Sequence, residues 1–177
     1  MNSQWLKCKQ FARACYETNK EEYARRNQNN KEMIISQIAQ GKYAELLVQS
    51  VLTEEGYDII NEVDFAIYHT KDKSFDCDIR AFKEKSESNV WDFHVKSISK
   101  KSADRYGASW LFQKRDPLLT TPKSNDKVVF VLLDEQNISY KEIVCIDARE
   151  LHRYLKSPKK ESLRGNKYAV YMEDLLI

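Results

Sequence analysis

The feature that most constrains this chain is a pair of alternating segments, Phe75 to Phe82 and Val90 to Ile98, joined by the short charged run Lys83 to Asn89. Side chains of a strand alternate between faces, so Phe75, Cys77 and Ile79 are expected on one side and Asp76, Asp78 and Arg80 on the other. The second segment repeats the pattern, with Trp91, Phe93 and Val95 against Asp92, His94 and Lys96. A link this short predicts an antiparallel hairpin. If the apolar faces agree in register, one surface gathers Asp76, Asp78, Arg80, Asp92, His94 and Lys96. That set suits a metal and a phosphate. Carboxylates ligate a hard divalent cation, the cation acidifies a bound water, and a lysine steadies developing negative charge. An exposed sheet face carrying ion pairs accounts equally well for any one of these residues alone.

The flanking sequence predicts what supports the hairpin. Ser3 can cap a helix through about Arg26, and a second helix runs from about Lys31 to Glu55, stopped by Gly56. Strands are expected at Tyr57 to Val63, Phe65 to Tyr68, Lys127 to Leu133, Glu142 to Ile146 and Lys167 to Tyr171. Asp147 can cap a short helix through about Lys156, and Lys100 to Lys123 reads as a loop-rich basic stretch. This order predicts an α/β domain bordering on α+β, with a central mixed sheet flanked by helices. Residues 1–30 form an N-terminal helical extension in this reading, and residues 31–177 form the core of the same domain.

Glu45 interrupts an otherwise apolar line on the second helix, Ile38, Gly41, Val48 and Leu52. It is either an edge residue reaching Lys42 or solvent, or a further acid facing the metal site.

The residues Gly41-Lys42-Tyr43-Ala44-Glu45, Asp78-Ile79 and His94-Val95-Lys96 together resemble the motifs of the PD-(D/E)xK nuclease superfamily, over roughly Gly41 to Leu155. The resemblance implies a restriction-endonuclease-like fold and Mg²⁺-dependent hydrolysis of DNA. It makes Asp78 a metal ligand, Lys96 the lysine beside the attacking water and Glu45 the helix-borne acid. Gln113 resembles a glutamine that many members carry after the triplet. His94 stands where the family usually has Glu, and imidazole suits Mn²⁺ better than Mg²⁺. Either Asp92 or Asp76 supplies the carboxylate, or His94 ligates or acts as a base, or the site is silent and the domain binds nucleic acid or a protein partner. The implied catalytic set is Asp78, His94, Lys96 and Glu45, with Asp78, His94, Glu45 and Asp92 as candidate ligands for Mg²⁺ or Mn²⁺. A homodimer is compatible with this reading, because cutting two strands often takes two sites.

Basic and aromatic residues follow the triplet: Lys100, Lys101, Arg105, Tyr106, Trp110, Lys114, Arg115 and Lys123. They are candidates, with Gln113, for contact with nucleic acid, although Trp110 can equally anchor the segment to the core. A second cluster, Lys156, Lys159, Lys160, Arg164 and Lys167, reads first as solvated surface and only second as a loop that supports binding. His69 and His152 have no recognisable partners at catalytic spacing. Net charge is only +2, so bulk electrostatics neither require nor exclude a polyanionic partner. No apolar run is long enough to span a bilayer, and Met1 to Lys9 is unlike a signal peptide, which predicts a soluble cytoplasmic protein. Cys8, Cys15, Cys77 and Cys145 lack metal-ligand spacing and are expected as reduced core thiols.

Overall fold

The computed structural model describes residues 3–69, 76–83, 89–134 and 138–176. Two long helices come first, α1 (Ser3–Arg25) and α2 (Lys31–Glu54). Asn30 caps α2, its side-chain oxygen accepting from the Met33 N–H at 3.0 Å. The far end closes at Gly56, whose φ of +85° is open to glycine without penalty. Its N–H reaches the Thr53 carbonyl and that of Tyr57 reaches Leu52, which satisfies carbonyls that the helix leaves orphaned. Ile35, Ala39, Tyr43, Ala44, Val48 and Leu52 of α2 are buried against the sheet.

That sheet has five strands in the order β1 (Asp58–Asn61), β2 (Ile79–Phe82), β3 (Val90–Ser99), β5 (Asp126–Asp134) and β6 (Ser139–Asp147). All neighbours are antiparallel except β3 and β5, which run parallel. A parallel neighbour requires a crossover. Here the crossover carries α3 (Lys100–Tyr106), β4 (Ser109–Gln113) and α4 (Pro117–Thr120). β4 pairs with β7 (Lys167–Tyr171) in a separate two-stranded sheet, after which α5 (Met172–Leu175) follows. The architecture is α/β, a mixed central sheet with helices against it.

β5 shows why there are two cores. Val129, Val131 and Leu133 face α2 and join a cluster with Cys8, Ala12, Ile79 and Phe93, while Val128 and Phe130 face the opposite way. Phe130 is fully buried, its ring centroid 5.0 Å from that of Trp110 and 6.1 Å from that of Phe112. Burying such a side chain contributes about 1.5–3 kcal/mol, and each ring pair about 0.5–1.5 kcal/mol more.

Several expectations are corrected. Residues 65–68 form no strand; Asp64 turns the chain by accepting from the Ala66 N–H at 2.7 Å. The basic stretch is ordered as α3, β4 and α4 rather than as loop. The helix after Asp147 is a 3₁₀ helix ending at Tyr154, capped as expected by the Asp147 side chain. Only Cys8 is a core thiol; Cys15 and Cys77 are partly buried and Cys145 is exposed, although all four are free. The place of Phe75 and most of the hairpin turn lie outside the described residues. Among the described residues, no helix is long and apolar enough to cross a membrane.

Candidate functional site

The register decides which predicted site residues can meet. His94 pairs with Val128 and Lys96 with Phe130 across the parallel ladder, so both histidine and lysine share the face of the second core, away from α2. Arg80 and Asp92 pair directly across the hairpin on that same face. To this extent the alternation read from sequence holds.

It fails at Asp78. The Asp78 N–H reaches the Phe93 carbonyl at 3.0 Å, although Phe93 is already the register partner of Ile79, so two residues of one strand oppose one of the other. The strands part there, and the Asp78 carboxylate fills the gap by accepting from the Val95 N–H at 2.7 Å. This irregularity reverses the faces ahead of it. Cys77, expected on the apolar side, turns to Asp92, with its Sγ 3.4 Å from Oδ1. Asp78, expected beside His94 and Lys96, instead lines a cleft of about 560 Å³ with Glu45 and Lys42 of α2 and Cys15 and Asn19 of α1.

Glu45 reaches Lys42, as expected of an edge residue, and lines the cleft as well. Its carboxylate pairs with Lys42 Nζ at 2.5 Å, and the two side chains, each 14% exposed, both line the cleft. Lys42 also lies over the rings of Phe11 and Phe65, at 5.3 and 5.8 Å from their centroids. An ammonium ion held between a carboxylate and two rings is kept oriented.

The other candidate ligands are engaged elsewhere. Asp92, 2% exposed, takes Arg80 as a two-pronged partner, Nε at 2.6 Å and the terminal nitrogen at 3.0 Å. Burial alone would raise its carboxyl, but hydrogen bonds from Arg80 and Cys77, with the charges of Arg80 and Lys123, outweigh that and hold it below the usual carboxylate range. His94 Nε2 lies 3.2 Å from Asp126. Lys96 Nζ lies 3.6 Å from Asp116 and 5.2 Å from the centre of the Phe112 ring. The expectation of one surface carrying all six residues is therefore corrected: Asp78 lines the cleft beside α2, whereas His94 and Lys96 share the face of the second core.

Two donor sets can be tested against a divalent ion. The ligand atoms of Asp76, Cys77 and Asp92 lie within 4.8 Å of one another. Arg80 already neutralises that cluster, touching both aspartates, and burial with the Asp92 charge pushes the Cys77 thiol up to about 12. A cation entering there would have to displace the guanidinium from both aspartates. Asp78 and Glu45, which line one roomy, partly polar cleft, are hard oxygen donors of the kind a divalent ion takes. His94 and Asp92 do not belong to that set.

Of the residues expected to touch nucleic acid, Lys101, Arg105, Gln113 and Lys114 are exposed. Lys100 pairs with Asp104 at 2.8 Å. Trp110 is turned inward, 3% exposed, and anchors the second core. His69 and His152 are exposed, the latter with Nδ1 2.7 Å from the Arg149 carbonyl. Sequence reasoning missed Lys42 as a site residue, although its place one turn before Glu45 was the available signal. Asp116 and Asp126, which hold Lys96 and His94, gave none. No family model, curated protein or solved structure matches this chain.

Proposed function

We propose that the chain is a metal-dependent endonuclease acting on DNA, with its site in the cleft between α2 and the start of β2. The observation that carries this reading is that Glu45 and Asp78, from separate elements, line one cleft together with the half-buried Lys42. The order of helix, three antiparallel strands, crossover and parallel strand is also what the resemblance to PD-(D/E)xK nucleases implies. Four free thiols fit work in a reducing cytoplasm.

In this reading Asp78 and Glu45 hold Mg²⁺ or Mn²⁺. The ion, when bound, acidifies a water and polarises a phosphate oxygen. The chain's own residues do the rest. The Val95 N–H fixes one Asp78 oxygen, which leaves the other to bind. Lys42 balances the charge of Glu45 and presents a cation to a non-bridging phosphate oxygen, the part that the motif gives to Lys96. The walls of α1 narrow the cleft and limit bulk water.

A second reading, a silent domain that binds nucleic acid without cutting it, is favoured by the engagement of His94 and Lys96 with Asp126 and Asp116 on the far face. Supercoiled plasmid incubated with Mg²⁺ or Mn²⁺ separates the two. Cutting should disappear in Asp78→Asn, which keeps an acceptor for Val95, and in Glu45→Gln, fall in Lys42→Met, and persist in Lys96→Met. DNA binding without cutting under either metal would select the silent domain.

A further inference from the structure

A second cleft, of about 620 Å³, lies at the other end of β3. It gathers Lys96 from β3, Lys159 and Lys160 from the segment before β7, and four serines of β3, α3 and β4. The basic cluster near residue 160, which reads in the sequence as solvated surface, is thus folded beside a lysine far from it in the chain. Tyr106, 58% exposed, also lines it.

The two lysines of the loop are held in place. Tyr171 accepts from the Lys159 N–H at 2.8 Å and donates to the Ser157 carbonyl at 3.4 Å. Arg164 donates to the carbonyls of Pro158 and Lys159 at 3.0 and 3.3 Å. Lys156 bridges to Ala169 in both directions. The Lys159 ammonium sits 4.7 Å from the centre of the Tyr171 ring, and the exposed Glu173, at 3.7 Å, partly offsets its charge. Preformed cations lose little entropy when they bind an anion. Trp110 lines the same cleft, and its buried indole N–H has no acceptor among the described residues.

We propose that this cleft binds the phosphodiester backbone of a single nucleic-acid strand, with Lys159 and Lys160 on phosphates, the serine hydroxyls on phosphate or sugar oxygens, and Tyr106 stacked on a base. Lysines along a groove with an exposed aromatic at hand are the composition that holds single strands regardless of sequence. Gln40, which walls the second cleft, and Gly41, which walls the acidic one, are consecutive residues of α2. The choice of nucleic acid over another polyanion rests on the endonuclease reading; the charge of the cleft does not.

The test is fluorescence anisotropy with a labelled single-stranded oligonucleotide and the matching duplex, using the intact chain, Lys159→Ala/Lys160→Ala, Tyr106→Ala, and a control of equal charge loss, Lys20→Ala/Arg153→Ala. Each lost phosphate contact lowers the salt slope by about 0.7 for a single strand, so the double variant should bind about 25-fold more weakly near 0.1 M salt, with a slope smaller by about 1.4. Tyr106→Ala should weaken binding without changing the slope, and the control should do neither; circular dichroism melts confirm that each variant is folded. Binding of the double variant within twofold of the intact chain, or a drop equal to that of the control, overturns the proposal. So does a preference for duplex that the double variant retains. Plasmid cutting lost in Asp78→Asn beside unchanged oligonucleotide binding in the double variant would sink the binding cleft alone. Absent cutting with the expected loss of binding would sink the endonuclease and leave the cleft standing.

Discussion

Replacing Arg80 by Met removes both prongs from Asp92 and leaves a carboxylate that is 2% exposed with only the Cys77 thiol at 3.4 Å and Lys123 at 3.9 Å, itself 62% exposed. Breaking a buried ion pair by deleting one partner costs about 3–5 kcal/mol, because the remaining charge is uncompensated. In a chain of this size each kcal/mol moves the melting temperature by about 2–4 °C, so a fall of about 10 °C is expected. The pH dependence gives the sharper test. In the intact protein the Asp92 carboxyl is held low, so its contribution is present above the unfolded value of about 3.9 and is lost as pH falls through the lower folded value. Without Arg80, burial dominates and the direction reverses. The variant is then relatively most stable below about pH 4 and loses ground as pH rises through the elevated value. Urea unfolding at pH 7 and pH 4.5 should therefore show a deficit that narrows in acid, and Asp92→Asn added to Arg80→Met should recover part of it at pH 7. A deficit under about 1 kcal/mol, or one equal at both pH values, would refute the reasoning.

Gly56→Ala forces a side chain into a φ of +85° with nothing within 4 Å of the added carbon, so the penalty is purely conformational. About 1 kcal/mol is expected, and an unchanged urea midpoint would show that the end of α2 does not need this turn. Burial first, with the charge of Glu45 for Cys8 and of Asp92 for Cys77, pushes these thiols up to about 11 and about 12. At pH 8 both should alkylate far more slowly in the native chain than in urea, and native labelling of Cys77 at the unfolded rate would contradict its contact with Asp92.

Periodic residues were legible and irregular ones were not. The alternation of Trp91, Phe93 and Val95 and the stop at Gly56 appear where sequence places them, because each depends on near neighbours, whereas of the line expected to face the core from α2 only Val48 and Leu52 are buried there and Ile38, Gly41 and Glu45 line the cleft. β4 was hidden because Ser109–Gln113 is a strand only through its pairing with Lys167–Tyr171. α3 was overlooked although Ser99, whose side chain accepts from the Ser102 N–H, and Gly107 mark its two ends. At the candidate site, Glu45 was visible as a polar break in an apolar stripe. The bulge at Asp78 was not, since no residue type there demands one, and this single irregularity decided which acids share a cleft and left Lys96 outside it.

The second core has a consequence for how the chain is made. Phe130 and Trp110 are in place early in synthesis, yet β4 has no partner until residues 167–171 emerge from the ribosome. Until then the α2 side of the sheet can assemble while the other side lacks Val170, the β7 residue buried with Trp110, Phe112 and Phe130. A nascent chain stopped near residue 155 would carry a sticky half-built protein, recognisable to chaperones by those rings, and would lack the anchor that holds Lys159 and Lys160 in position.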